Sequence, residues 1–342
     1  MHAPTVSWEA LTLKLRNPFH LSYGVSETRQ SFWIRLGNDE GWGEAAIPPY
    51  YRVDPSAMIS CWQRAGDSTQ PLPDQIEQIA PWIPQGPAPS RCALELALLD
   101  RIGKKRNLPL WKLLEVPEPK TLSSCFTISI DTPDAMARMA RQIEKYPLIK
   151  IKMGSDDDES RLRAVREARP DARLVVDANA GWTRDAAVEH LKWLEQYRLE
   201  LIEQPLAKDD HEGMGLVQLK TKIPIVGDES VQTMDDVEKL ARAGVRGINV
   251  KIMKVGGVIP ALTMIRRARE LGMNVMLGCM IETSIGTTAM AHLIGLADWI
   301  DLDSPLLISN DPFEGLTYDE HARVTVPDRA GIGVRRRGET AA

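Results

Sequence analysis

Cysteine is scarce in this chain and never set in a CxxC pair: Cys61, Cys92, Cys125 and Cys279 are scattered singly. That spacing argues against a thiolate metal site and against a disulfide framework, and it leaves free thiols in a reducing compartment as the expectation. Long apolar runs are missing as well. No stretch is long enough to cross a bilayer, and the opening MHAPTVSWEA has no basic head followed by an apolar segment. The expected location is therefore the cytoplasm. Nor is there a surplus of positive charge: a formal net charge of −5 and a pI near 5.8 recommend neither a nucleic acid nor an anionic membrane as partner. A small molecule is the more natural one.

What is present is an ordinary globular composition, 43% hydrophobic and 26% charged, in 342 residues, enough for about two domains. Residues 1–119 alternate polar and apolar positions around turn residues. VSWEALTLKL, SFWIRLG and the Asn38-Asp39-Glu40-Gly41 turn before WGEA predict an antiparallel meander. A Pro-rich stretch leads into SRCALELALLDRIGKKRNLPLWKLL, whose three-and-four spacing predicts a helix with Ser90 as N-cap. After the linker Val116–Thr121 the texture changes. Eight candidate strands follow, SCFTISI, LIKIKM, ARLVVDA, LELIEQ, IPIVGDE, GINVKI, MNVMLG and ADWIDLD, separated by helical patterns. Strand–helix alternation predicts a parallel sheet, and eight repeats predict a closed barrel over residues 120–316. The segment from Thr317 has strand and turn texture and is expected to return to the first domain, so that 317–342 completes it. The terminal RRRGETAA is expected to be disordered.

Within that alternation, charged residues recur with a period. Lys152, Asp177, Glu203, Asp228 and Lys251 follow one another at intervals of 25, 26, 25 and 23 positions, each ending a short apolar run. A mid-twenties period is what one strand, one helix and two loops need, so these residues should stack on successive strands. Charges at strand C-termini in such a barrel mark its catalytic face. Asp177, Glu203 and Asp228 would converge as three carboxylates from adjacent strands. Like charges repel unless a cation neutralises them, and hard oxygen donors without cysteine or histidine favour Mg²⁺.

Lys150 and Lys152 stand two apart on one strand and so share a face. Ammonium groups placed near a dication and near each other should have lowered pKa values and serve as bases. Lys251 ends the strand across the barrel. Two lysines on opposite sides of one substrate carbon can remove and return a proton from either face, which interconverts stereoisomers. Lys254, past the strand end, reads as a loop or helix-start residue.

The Lys-x-Lys strand, the acidic series in DANAGW, IEQP and GDES, and INVKIMKVGG followed by GCMIETSIG together resemble the enolase superfamily, muconate-lactonising subgroup. WGEA and ALELALLDRIGKK resemble that family's cap, so the likeness covers nearly the whole chain. It implies a modified (β/α)₇β barrel with an N-terminal α+β capping domain, in which a Mg²⁺-bound substrate carboxylate loses an α-proton to give a stabilised enolate. Asp301 and Asp303, in DWIDLDSPLL, resemble the pair with which dipeptide epimerases grip the substrate's α-ammonium. By that resemblance Asp177, Glu203 and Asp228 bind Mg²⁺. Lys152 and Lys251 are the two acid/base groups, and Lys150 stabilises the enolate and depresses its neighbour's pKa. Glu282 touches the amide or a lysine, while Asn179 and Gln204 support the ligands. The implied activity is inversion of the C-terminal residue of a dipeptide.

Specificity is expected from the cap loops 18–29 and 48–54. Glutamate-handling members carry an arginine where Gly24 aligns, so acidic side chains should be poor substrates here, whereas Tyr23, Tyr50 and Tyr51 favour apolar ones of the Ala-Xaa type. Glu27 and Asp54 leave a basic side chain open. The alternatives are a cycloisomerase or o-succinylbenzoate synthase, which the Asp301/Asp303 pair disfavours, and acid-sugar dehydration, which lacks a histidine at a strand end. From another class, a noncatalytic barrel that binds peptides or amino acids stays open. A homo-oligomer is open by family analogy alone.

Overall fold

The computed structural model describes residues 6–22 and 24–339; Tyr23, one of the aromatic residues read as specificity-setting, lies outside them. The chain opens with the expected meander: β1 (Val6–Leu21), β2 (Gly24–Leu36) and β3 (Gly41–Ala46) form one antiparallel sheet in that order. The β1–β2 register slips between Lys14 and Phe19, so residues 15–18 bulge out of the ladder. After α1 (Pro55–Gly66) comes α2 (Ala88–Arg106), packed on β3. The approach is close enough to require glycine, since a Cβ at Gly41 or Gly43 would sit 2.0 Å from the carbonyl oxygens of Ala97 and Ala93. Ser90 lies inside α2 rather than capping it. Its hydroxyl donates to the carbonyl of Pro87, and the helix starts earlier because proline is favourable in a first turn.

Eight parallel strands follow: β4 (Phe126–Ile128), β5 (Leu148–Lys152), β6 (Arg173–Asp177), β7 (Leu199–Glu203), β8 (Ile225–Gly227), β9 (Gly247–Val250), β10 (Asn274–Gly278) and β11 (Trp299–Asp301). Each falls on a segment expected from the sequence. They pair in chain order, and a parallel bridge between Ser124 and Ile300 joins the two ends, closing the barrel. Helices α3 (Pro133–Gln142), α4 (Asp158–Ala168), α5 (Arg184–Leu194), α6 (His211–Leu219), α7 (Met234–Arg242) and α8 (Val258–Glu270) alternate with the strands. α9 (Ser284–Ala291) completes the series. Polar residues fix where several begin: Thr132, Thr183, Asp210 and Thr233 accept from backbone N–H groups in the first turns of α3, α5, α6 and α7.

The period of two along the strands divides the barrel interior into layers. Cys125, Leu148, Val175, Leu201, Val226 and Met276 form a buried apolar cluster. Two positions on, the same faces of β5, β6, β7 and β8 carry Lys150, Asp177, Glu203 and Asp228. The floor is dry and the rim is charged. Ile149, Ile151 and Met153 face the opposite way and belong to the main core between sheet and helices.

The rim faces the first sheet. Glu44, at the end of WGE, is fully buried and accepts from the Ser31 hydroxyl at 2.6 Å, from the backbone and hydroxyl of Thr283 at 2.8 and 2.6 Å, and from Gly286 N–H at 3.0 Å. Tyr51 donates to the carbonyl of Glu229 and Ser22 to that of Asn179. The C-terminal segment returns as well: Phe313 lies against Trp33 and Trp42, and Ile332 N–H donates to Asp100. The basic end is ordered as far as it is described. Arg335–Arg336 pairs with Phe313–Glu314, and the Arg336 guanidinium lies 5.5 Å from the Trp33 ring centroid, a cation–π contact that a reading of charge alone misses. Among the described residues no helix is long and apolar enough to cross a membrane, and all four cysteines are unpaired.

Candidate active site

The rim brings the periodic residues together. One carboxylate oxygen each from Asp177, Glu203 and Asp228 lies within 4.8 Å of the others, and all three residues are buried. Lys150 Nζ reaches three acidic residues at once: Asp301 at 2.7 Å, Glu203 at 2.8 Å and Asp177 at 3.0 Å. Lys152 Nζ is 2.7 Å from Asp177 Oδ2 and Lys251 Nζ is 2.8 Å from Asp228 Oδ2. β5 and β9 are four strands apart in a ring of eight, so these two lysines approach the carboxylates from opposite walls. Gly278 makes room for the second: a Cβ there would meet the Lys251 side chain at 2.8 Å and that of Asn249 at 2.5 Å.

Neighbouring amides hold the acids in place. Asn179 donates from its backbone to Asp177 Oδ1 at 2.9 Å and from its side chain to Glu229 at 3.1 Å. Asn249 donates to Glu203 Oε1 at 2.9 Å, and Gln204 Oε1 accepts from the backbone of Asp228 at 2.7 Å and of Ser230 at 3.1 Å. Such bonds fix carboxylate orientation before any ligand arrives. The donor set is all oxygen, tightly grouped and buried, which fits a hard dication such as Mg²⁺.

The electrostatics correct one expectation. Burial alone would lower the pKa of Lys150, but Asp177, Asp301 and Glu203 outweigh it and hold the ammonium well above the usual lysine range. Lys251 is likewise raised, with Asp228 overcoming burial. At both, attraction to carboxylates outweighs burial and, at Lys251, the repulsion of Lys150 as well. The acids divide. Burial opposes ionisation of Asp177, yet Lys150 and Lys152 bring it down to about 2, whereas burial and Asp177 push Glu203 up to about 7.

On the β11 side, Asp303 accepts from the Thr127 backbone at 2.8 Å, and burial with the neighbouring charge of Asp301 raises it to about 7. Both aspartates line the same cleft as Lys150, Lys152 and Lys251. The rest of the cleft wall is mostly apolar, with Phe19, Leu21 and Tyr50 from the first domain and Met280, Ile281 and Leu307 from the segments after β10 and β11. Gly24 is not on that wall; it is exposed at the β1–β2 tip, paired with Leu21. Glu282 is buried beneath the loop after β10, where burial and nearby Glu44 keep its carboxyl well above the usual range.

Four residues escaped the sequence reading. Lys254 is buried, its Nζ 2.5 Å from Asp228 Oδ1. A lysine in a turn otherwise made of Ile252, Met253 and Val255 was the available signal. Glu229, next to a ligand position in GDES, is buried beside Asn179 and lines the cleft. Thr127 contributes a backbone donor that no side-chain pattern encodes. Arg29, on β2 at the end of the 18–29 segment but five residues from the position examined for a cation, also lines the cleft.

A family profile described as "Enolase C-terminal domain-like" matches residues 134–340. The L-Ala-D/L-Glu epimerase of Bacteroides thetaiotaomicron is 33% identical over 332 residues, covering 95% of this chain and 86% of its own. The hydrophobic dipeptide epimerase of Enterococcus faecalis is 31% identical, with 98% and 99% covered. The crystal structure of the dipeptide epimerase from Enterococcus faecalis complexed with Mg and L-Leu-L-Tyr superposes with a TM-score of 0.91 at 30% identity, covering 98% of this chain and 99% of that one.

Proposed function

The chain belongs to the enolase superfamily, by the enolase C-terminal domain-like profile and by its dipeptide epimerase relatives, and on that premise we propose that it is a Mg²⁺-dependent dipeptide epimerase. The observation that carries this reading is the pair Lys152 and Lys251 on opposite barrel walls, with the Asp177–Glu203–Asp228 cluster between them and Asp301 and Asp303 in the same cleft.

Asp177, Glu203 and Asp228 would hold Mg²⁺, which when bound supplies positive charge against the substrate's C-terminal carboxylate and the negative charge that grows as its α-proton leaves. Asp301 and Asp303 take the free α-ammonium. The dipeptide is thereby held at both ends, with its C-terminal α-carbon between the two lysines. One lysine takes the proton from one face and the other returns a proton to the opposite face. Lys150 supports the developing charge from below, and Asn179 and Gln204 keep the ligands oriented. Tyr50 borders the substrate region, Glu282 acts from behind Met280, whose N–H donates to it, and Gly24 keeps the hairpin tip free of a side chain.

The apolar wall favours hydrophobic side chains at the inverted residue, of the Ala-Xaa type, over Ala-Glu. Arg29 supports a second reading in which an acidic side chain finds a partner on β2, as the name of the Bacteroides relative also allows. A cycloisomerase or o-succinylbenzoate synthase fits less well, because Asp301 and Asp303 would repel a substrate without an ammonium group. A noncatalytic peptide-binding barrel would not need Lys152 and Lys251.

We assign residues 1–119 and 317–342 to a capping unit and 120–316 to the catalytic barrel, in keeping with the Arg336–Trp33 and Ile332–Asp100 contacts. Cytoplasmic location accords with unpaired cysteines, and a homo-oligomer with family habit. Proton NMR of L,L-dipeptides in D₂O with Mg²⁺ tests the function. Loss of the C-terminal α-proton signal is the expected result, abolished for the L,L epimer in whichever of Lys152→Ala and Lys251→Ala removes the base on that face, while either variant blocks inversion. No exchange with any dipeptide sinks the reading.

A further inference from the structure

We propose that Lys254 is a positioning residue that holds Asp228 in place and so leaves Lys251 free to leave it for the substrate. The inference rests on the reading of Lys251 as a proton-transferring base. Lys251 and Lys254 divide the two oxygens of one carboxylate: Lys251 Nζ is 2.8 Å from Oδ2, and Lys254 Nζ is 2.5 Å from Oδ1. Their other contacts differ. Lys254 Nζ also donates to the carbonyl oxygens of Asp228 and of Asn249, the latter at 3.1 Å, so its three donors meet three acceptors. Its side chain is 1% exposed, against 9% for Lys251.

The place of these carbonyls matters. The β8–β9 ladder ends with Val226 opposite Gly247 and Gly227 opposite Ile248. The next pair in that register is Asp228 and Asn249, whose carbonyls both point to Lys254. One ammonium thus joins the strand ends where ladder bonds stop and fixes the carboxylate at the same point. A base that must reach a substrate carbon has to leave Asp228 Oδ2, and a ligand carboxylate free to turn with it would lose its aim at the cation site. With Lys254 on the other oxygen, Asp228 keeps a partner and its orientation while Lys251 moves. On the facing wall Asp177 is held differently beside Lys152, with Lys150 on the same oxygen Oδ2 and the Asn179 N–H on Oδ1.

The test compares Lys254→Met and Lys254→Arg with wild type by two readouts. The first is deuterium exchange of the α-proton measured separately from the L,L and L,D epimers of one dipeptide. The epimer served by Lys251 is identified as the one whose exchange is lost in Lys251→Ala. Lys254→Met should slow exchange from that epimer about tenfold more than from the other, and Lys254→Arg should recover most of the difference. The second readout is calorimetric Mg²⁺ titration without substrate, where Lys254→Met should weaken binding roughly tenfold, in the range known for residues that orient metal ligands. Equal slowing from both epimers, or unchanged Mg²⁺ binding, overturns the proposal. If Lys254→Met does not fold, Lys254→Gln serves in its place under the same criteria. Absence of exchange in the wild type with every dipeptide would instead count against the epimerase reading, while the Mg²⁺ titration would still decide whether Lys254 positions Asp228.

Discussion

The barrel rim and the wall facing it are built on different principles. The rim places Lys152, Asp177, Glu203, Asp228 and Lys251 on strand ends or the next residue, with Lys150 two residues inside β5, over an apolar floor and in mutual contact at 2.7–3.0 Å. The facing wall comes from a hairpin with a slipped register and from loops, and its side chains are chiefly apolar. Rigid strands can hold like charges close together because backbone ladders bear the repulsion, whereas a hairpin tip cannot. The difference assigns chemistry to the rim and choice among substrates to the wall.

The strongest way to break that division is to remove a lysine from the rim. Lys152→Ala and Lys251→Ala should each reduce α-proton exchange by about a thousandfold or more, within the range for a lost general acid or base, and by a similar factor for every dipeptide. Each should abolish exchange from a different epimer, read by NMR on the separated L,L and L,D substrates. A loss that depended strongly on the side chain of the inverted residue would place these lysines in selection rather than chemistry.

The seam between the two regions gives the next effect. His292, just after α9, is fully buried and bonded at 3.0 Å to the carbonyl of Ile332, in the segment that reaches back to Asp100. Burial depresses its pKa from the ordinary 6.5 to about 4. The unfolded chain therefore binds a proton that the native state refuses. Stability from this group is complete above about pH 6.5 and falls as the pH drops toward 4, by roughly 3 kcal/mol in all. Chemical denaturation of wild type and His292→Gln across that window should show a shallower pH slope in the variant. Parallel slopes would exclude His292 as the acid-sensitive group.

Asp303→Asn sharpens the comparison within the cleft. If this aspartate and Asp301 take the α-ammonium, kcat/KM for dipeptides should fall by about 10- to 100-fold, the usual cost of removing one member of a buried charge pair. N-acetylated dipeptides, already poor substrates, should lose little more. An equal loss for both kinds would mean that Asp303 serves the Thr127 contact instead.

How much of this the sequence disclosed follows the same division. The rim was legible because it is periodic: a mid-twenties spacing of charges and a two-residue alternation specify both strand and face without any tertiary knowledge. Lys254 was not, since it reaches Asp228 from a turn outside that period. The pKa of Lys150 was read in the wrong direction because spacing shows that charges converge but not how many carboxylates meet one ammonium. Ser90 failed as a cap because prolines let α2 start earlier, and the Arg335–Arg336 pairing depended on an aromatic surface built by β2.

Arg29 is the smallest test and bears most directly on the wall. The sequence reading looked for a cation at Gly24, on the hairpin tip; the chain instead carries one five residues on, on the returning strand, where it lines the cleft with Phe19 and Leu21. If apolar contact governs selection, Arg29→Met should leave the Ala-Leu rate within about twofold and Ala-Leu should exceed Ala-Glu before and after the change. If Arg29 meets an acidic side chain, the same substitution should lower kcat/KM for Ala-Glu by about tenfold, the worth of one partly exposed charge-assisted bond, and spare Ala-Leu. Either result concerns the ratio of two substrates, not the rate of proton transfer. A rim variant should leave that ratio unchanged, so the pair of measurements decides whether chemistry and choice are separable in this fold.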